Sequence, residues 1–225
     1  MVRECSYRIV DAARNAEALG DESFLEAFSA CARLLGACFA FHPVKEEAAD
    51  AFALMRSMDI AADWPFGDAC AREHAAACFA RGAADFPDAA AEEFVRLIRG
   101  AGFSPAPPWG SVYMDREKVM YGRTWVMLRD WMRAHGVRGL YEENDPEDQF
   151  GRLLVLASAV AAQRPDLLCE LAGDHLLCWA PRFLDAFDAS ARTETYRGLA
   201  ALCRATLDDV RATLAVEPAV RRLYR

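Results

Sequence analysis

Eight cysteines and four histidines are the side chains of this 225-residue sequence best suited to hold a metal or run redox chemistry. Their spacing argues against both. No two cysteines are separated by the two to four residues of a zinc knuckle. His42, His74, His135 and His175 are scattered, none with a second histidine four residues on, so the pattern of a zinc hydrolase is missing. Cys31 and Cys38 lie seven apart in one apolar stripe and Cys203 sits in another, as small hydrophobes do when they pack inside helices. Free, buried thiols are expected. There is also no Gly-x-x-x-x-Gly-Lys-Ser/Thr phosphate loop, no Gly-x-Gly-x-x-Gly turn and no Ser/His/Asp arrangement. Neither an enzyme nor a bound cofactor or metal is expected; a thiol-dependent metal-binding protein is the distant alternative, and stoichiometric zinc or iron would support it.

The chemistry that the sequence does offer is recognition. Pro105-Ala106-Pro107-Pro108-Trp109-Gly110-Ser111-Val112-Tyr113 combines three prolines, which fix their own backbone and push their predecessors away from helix, with two aromatic rings. The plain reading of such a stiff, extended loop is that it caps the core with Trp109 buried; the functional one is that it presents Trp109 and Tyr113 to a ligand. Further on, Asn144-Asp145-Pro146-Glu147-Asp148 reads as a helix start, with a capping Asp, Pro at the first helical position and two acids in the first turn. Three carboxylates at one helix end exceed what capping requires. They could receive a guanidinium in a bidentate fork.

The elements that must carry these residues read as helices. Phe24, Phe28, Cys31, Leu35 and Cys38 form one face of a helix after a capping Asp21. Tyr196, Leu199, Cys203, Leu207, Val210 and Leu214 do the same after Thr193. Further helical segments are expected near 3–19, 45–58, 68–81, 88–100 and 116–135, the last with Tyr121, Trp125, Leu128 and Met132 on one face. Strand-like alternation is nearly absent. The expected fold class is all-α: a single-domain helical bundle with a Pro-rich connecting loop, and a hinge at 100–115, two lobes being the alternative. A formal net charge of −8 disfavours nucleic acid and favours a basic partner such as a cationic peptide. Charges interrupt every hydrophobic run, so no transmembrane segment is expected, and the first residues lack the grammar of a secretory signal, so the cytoplasm is expected.

Taken in order, Pro107 to Glu117, Leu128-Arg129-Asp130-Trp131-Met132-Arg133, Asn144 to Gly151, His175 to Leu184 and Tyr196-Arg197-Gly198-Leu199 closely resemble the TorD/DmsD family of molybdoenzyme maturation chaperones, in spacing as well as in type. The resemblance covers about 90 to 225 well and the N-terminal part by helical character. It implies an all-α cytoplasmic chaperone that binds the twin-arginine signal peptide of a DMSO-reductase-type precursor until cofactor insertion, with the Tat translocase as a further partner. A chaperone for a molybdoenzyme catalytic subunit without a functional leader is the alternative. Carried over, the signal-peptide-binding residues are Phe94, Leu97, Ile98, Trp109, Tyr113, Asp145, Pro146, Asp148 and Gln149. Two departures stand out. The family usually reads Glu-Pro-x-Asp-His where this chain has Asp145-Pro146-Glu147-Asp148-Gln149, an amide replacing an imidazole. Phe94 to Ala101 lacks the family's bulkier aromatics and Gly-Pro, which implies a groove reshaped for a different leader.

Overall fold

Two helices whose backbones touch set the architecture. In the computed structural model, which describes residues 6–99, 104–139 and 146–225, α2 (Glu22–Ala40) crosses α9 (Phe150–Gln163) at a pair of glycines. A Cβ on Gly36 would lie 2.7 Å from the Gly151 carbonyl oxygen, and one on Gly151 would lie 2.5 Å from both the Gly36 oxygen and the Ala40 nitrogen. Only hydrogen fits there, so the helices approach more closely than side chains would permit. α9 is apolar almost all round, with Phe150, Leu153, Leu154, Val155, Leu156 and Val160 buried, as a central helix must be.

The remaining elements wrap this pair. In chain order, β1 (Arg8–Ile9), α1 (Ala12–Gly20), α2, α3 (Glu46–Ser57), α4 (Ile60–Asp63), α5 (Ala69–Gly82) and α6 (Asp88–Phe94) come first, α6 running on as a π-helical turn over Val95–Arg99. After them come α7 (Gly110–Met114), α8 (Arg123–Ala134), α9, α10 (Leu168–Glu170), α11 (Ala180–Ser190) and α12 (Glu194–Thr213). β2 (Val216–Glu217) pairs antiparallel with β1, so the strands only tie the two chain ends together. α12 packs against α5 and also reaches α2 and α11. Phe39, Phe150, Phe183, Phe187, Trp179 and Tyr113 join in one aromatic layer, with Phe150 and Phe183 centroids 4.5 Å apart.

The all-α class, the Asp21 cap and the apolar faces of α2 and α12 are as the sequence dictates: Asp21 Oδ1 accepts from Ser23 and Phe24 amides. Other boundaries differ. Glu26 and Arg33 interrupt α2 as expected, yet by length and a mean hydropathy of 1.3 it is long and apolar enough to cross a membrane; 56% of that window is buried inside the fold, as suits the core helix it is here. The helix expected over 116–135 begins only at Arg123, because Lys118 (φ 54°) and Tyr121 (φ 61°) take left-handed backbone that no helix admits. Of the helix expected over 3–19, residues 3–5 lie outside the described residues, and the first described helix begins at Ala12, after the short strand. Thr193 does sit at the start of α12, yet its hydroxyl makes no capping bond.

The backbone contact at the α2–α9 crossing has no side chain that can yield. Gly151→Ala is expected to cost about 2 to 3 kcal/mol or more through forced separation of the helices, seen as a fall in the urea midpoint.

Candidate functional site

The Pro-rich loop does not hang free. Ser104 Oγ donates to the Leu97 carbonyl at 2.6 Å and accepts from the Ala106 amide, tying the loop to the end of the α6 segment. Arg225 donates to the Ser104 carbonyl at 2.8 Å, and the Tyr224 amide to the Tyr113 carbonyl, so the chain's C-terminal end straps the same stretch. Beyond Pro107 the loop runs antiparallel to 148–150. The Phe150 amide donates to the Pro108 carbonyl at 2.7 Å, the Gly110 amide to the Asp148 carbonyl at 3.0 Å, and Trp109 and Gln149 form a β-bridge between them.

Side chains complete this clamp. Asp148 Oδ2 accepts from the Ser111 amide at 2.7 Å, placing a carboxylate at the start of α7 where free N–H groups converge. Gln149 does two tasks. Its Oε1 accepts from the Arg152 amide at 2.9 Å, capping α9, and its Nε2 donates to the Phe39 carbonyl at 2.9 Å, satisfying the end of α2. Gln149 therefore caps α9, not Asp145, which lies outside the described residues; the helix starts four residues later than the acidic motif suggests. Gln149 can reach Phe39 because Gly151 brings α9 against α2.

Phe94, Leu97 and Ile98 are buried, at 0%, 0% and 3% exposure, so in this conformation they support the surface from beneath. Phe94 packs its ring against His42 at 5.5 Å, near the α2 end that Gln149 holds. Tyr113 is fully buried and stacked on Trp179 at 5.5 Å, and burial pushes its hydroxyl well up from the ordinary tyrosine value. Pro146 and Asp148 are buried as well. Trp109 alone of the described candidates keeps part of its surface in solvent, and its Nε1 has no hydrogen-bond partner within the protein. The structure thus unites Trp109, Tyr113, Pro146, Asp148 and Gln149 in one clamp. It places Phe94, Leu97 and Ile98 below the adjoining end.

The described acidic residues of the motif, Glu147 and Asp148, are both engaged within the chain. Glu147 accepts from Trp125 Nε1 at 2.6 Å and pairs with Arg129 at 3.3 Å, while the Arg129 guanidinium lies 5.0 Å from the Trp125 ring. Sequence reading missed Ser111, Trp125 and Arg129 as parts of this unit. The signal for Ser111 was available: a short helix opening at Gly110 needs an acceptor for its first amides. Of the described thiols, Cys31, Cys38, Cys78, Cys169 and Cys203 are buried, Cys178 is partly buried and Cys70 is exposed. Burial pushes Cys31 and Cys178 up to about 12, which makes them poor nucleophiles.

Comparison with known proteins gives this geometry a context. A family model described as "Nitrate reductase delta subunit" matches residues 63–185, which include both strands of the clamp. A "Tat proofreading chaperone DmsD" of Salmonella typhi is 39% identical over 199 residues, covering 88% of this chain and 96% of the relative. The chain belongs to the TorD/DmsD chaperone family. A "Probable Tat proofreading chaperone DmsD" of Haemophilus influenzae is 30% identical over 91% of this chain and 100% of its own length. A "Chaperone protein TorD" of Psychrobacter sp. is 27% identical over 43% of this chain. Membership makes the protein a chaperone rather than an enzyme.

Burial pushes the Asp148 carboxyl up to about 6, outweighing the Ser111 hydrogen bonds that pull it down, with Asp115 adding to the rise. A carboxyl raised in the folded state stabilises the fold fully below its unfolded value of 3.8, and that stability is lost as pH rises through about 6. His175, which burial pulls down to about 4, runs the other way, losing stability as pH falls. The two overlap, so the clean readout is a difference. Asp148→Asn should gain on the order of 3 kcal/mol relative to the parent between pH 4 and pH 7.5, measured by urea denaturation at both. A gap independent of pH would show that Asp148 titrates normally.

Proposed function

We propose that this chain is a cytoplasmic maturation chaperone that binds the twin-arginine leader of a DMSO-reductase-type molybdoenzyme precursor and holds it until cofactor insertion and export. The observation that carries this reading is the 39% identity, over 88% of the chain, to a relative named as a Tat proofreading chaperone. A leader joins a basic segment to an apolar one, so its receptor needs carboxylates beside an apolar surface.

On this reading the apolar segment meets Trp109, the solvent-facing ring of the clamp. Asp148, Gln149, Pro146 and Tyr113 hold that ring in place, and Phe94, Leu97 and Ile98 form the apolar support beneath. The leader's arginines are assigned to the acidic stretch 145–148. Asp148 is withdrawn into the clamp, but Glu147 already holds one guanidinium, that of Arg129, in a half-exposed ion pair. An incoming arginine can replace it, exchanging like for like. The Tat translocase is proposed as the partner that follows leader release.

A second reading is favoured by the description of the matching family model, "Nitrate reductase delta subunit". In it the client is a molybdoenzyme catalytic subunit without a functional leader. The discriminator is whether binding needs both arginines.

Calorimetric titration with a synthetic leader of a DMSO-reductase-type precursor should show micromolar or tighter binding, lost when both arginines are changed to alanine. Trp109→Ala should weaken it by about 2 kcal/mol, roughly thirtyfold, as loss of a central aromatic anchor does. Equal affinity for both peptides favours the leaderless client; no binding of any such leader rejects the proposal.

A further inference from the structure

The turn between α7 and α8, taken together with α8 and the residues after it, differs from the rest of the surface in charge, and the turn itself differs in exposure and in backbone. Residues 116–139 hold six cations (Arg116, Lys118, Arg123, Arg129, Arg133 and Arg138) against two carboxylates, Glu117 and Asp130, a surplus of four in a chain of net charge −8. Arg129 and Arg133 are engaged with Glu147 and Asp130. Arg116, Lys118 and Arg123 flank the turn itself; all three are exposed, and Arg123 is itself engaged within the chain.

Between those cations three consecutive apolar residues face solvent: Val119 is 52% exposed, Met120 44% and Tyr121 49%, and Val126 on the first turns of α8 is 44% exposed. Isolated exposed apolar residues need no explanation, but this cluster does. The Tyr121 ring packs edge-on against Trp125 at 5.1 Å, which widens the apolar surface.

The backbone fixes this presentation. Buried Asp115 accepts from the Thr124 amide and hydroxyl, both at 3.0 Å, and the Lys118 amide donates to the Asp115 carbonyl. A Cβ at position 122 would lie 2.2 Å from Asp115 Oδ2, so glycine alone lets the chain pass so close to that carboxylate. Lys118 and Tyr121 take left-handed backbone, which neither side chain favours. Surroundings that over-determine an unfavourable conformation, and that direct three apolar side chains outward, mark a built feature.

We propose that this turn and the start of α8 form a peripheral docking surface for an anionic phospholipid bilayer. Charge complementarity selects the occupant: the flanking cations match headgroup phosphates, whereas the rest of this acidic surface is repelled by them. Val119 and Met120 enter the interfacial region, and the amphipathic Tyr121 ring suits the headgroup boundary. Neither signal suffices alone, so the attachment is weak, reversible and salt-sensitive.

The test is flotation of the full-length protein with vesicles of phosphatidylglycerol or of phosphatidylcholine, with leader titration of the same preparation as a separate readout. The protein is expected to float with phosphatidylglycerol, not with phosphatidylcholine, and to be released near 1 M salt, where the screening length is roughly 3 Å. Arg116→Ser and Lys118→Ser should each weaken partitioning about fivefold. Met120→Ser with Tyr121→Asn should abolish it while circular dichroism stays unchanged, since Asn tolerates left-handed backbone. Failure to float with phosphatidylglycerol, equal flotation with both lipids, or indifference to these substitutions would overturn the proposal, whatever the leader titration shows. A photo-crosslinker at Val119 that captures protein and no lipid would do the same.

Discussion

The contact between Gly36 and Gly151 is the constraint on which the rest of the molecule depends. Because two backbones meet there without side chains between them, α9 begins immediately beside the end of α2, and Gln149 can cap one helix while satisfying the other. That fixed residue becomes one side of the β-bridge that captures Trp109, and its neighbour Asp148 anchors the start of α7. A helix crossing in the core thus sets the position of an aromatic ring at the surface. Moving the crossing by the width of a methyl group would disturb the caps, the bridge and the ring together.

The clamp explains why buried polar groups gather at this end of the fold. Backbone groups of the loop are matched within the chain by the 148–150 backbone, Ser104 and the C-terminal strap, whereas Trp109 Nε1, Ser111 Oγ and the Tyr113 hydroxyl are buried without a partner in the protein. The two described carboxylates of the motif that looks from sequence like a surface claw are divided between tasks. Asp148 is desolvated and holds α7, while Glu147 stays partly exposed and grips Arg129 and Trp125. On the proposed function, a preorganised ring and one exchangeable ion pair receive the client, which limits the entropy lost on binding.

How much of this was legible in the sequence depends on the kind of signal. The apolar faces of α2 and α12 and the Asp21 cap follow from helical spacing, and their burial agrees. Periodicity could not tell that the pattern running through Met120 and Tyr121 belongs to a turn, because it counts apolar residues and ignores backbone strain. Nor could it show that Phe94, Leu97 and Ile98 are buried: an apolar stripe looks the same facing a ligand or facing the core. The acidic motif was misplaced as the α9 cap because Asp-Pro-Glu-Asp satisfies every local rule for a helix start. The tertiary contact from Gln149 to Phe39 decides otherwise, and no local rule contains it.

The central claim, that the loop at 104–114 and the segment at 146–150 form one unit that receives the client, is tested most directly by amide hydrogen exchange with and without a twin-arginine leader peptide. Slowed exchange confined to those two stretches, rising together with peptide concentration, is the result this account predicts. Protection elsewhere, with both stretches unchanged at saturating peptide, would contradict it.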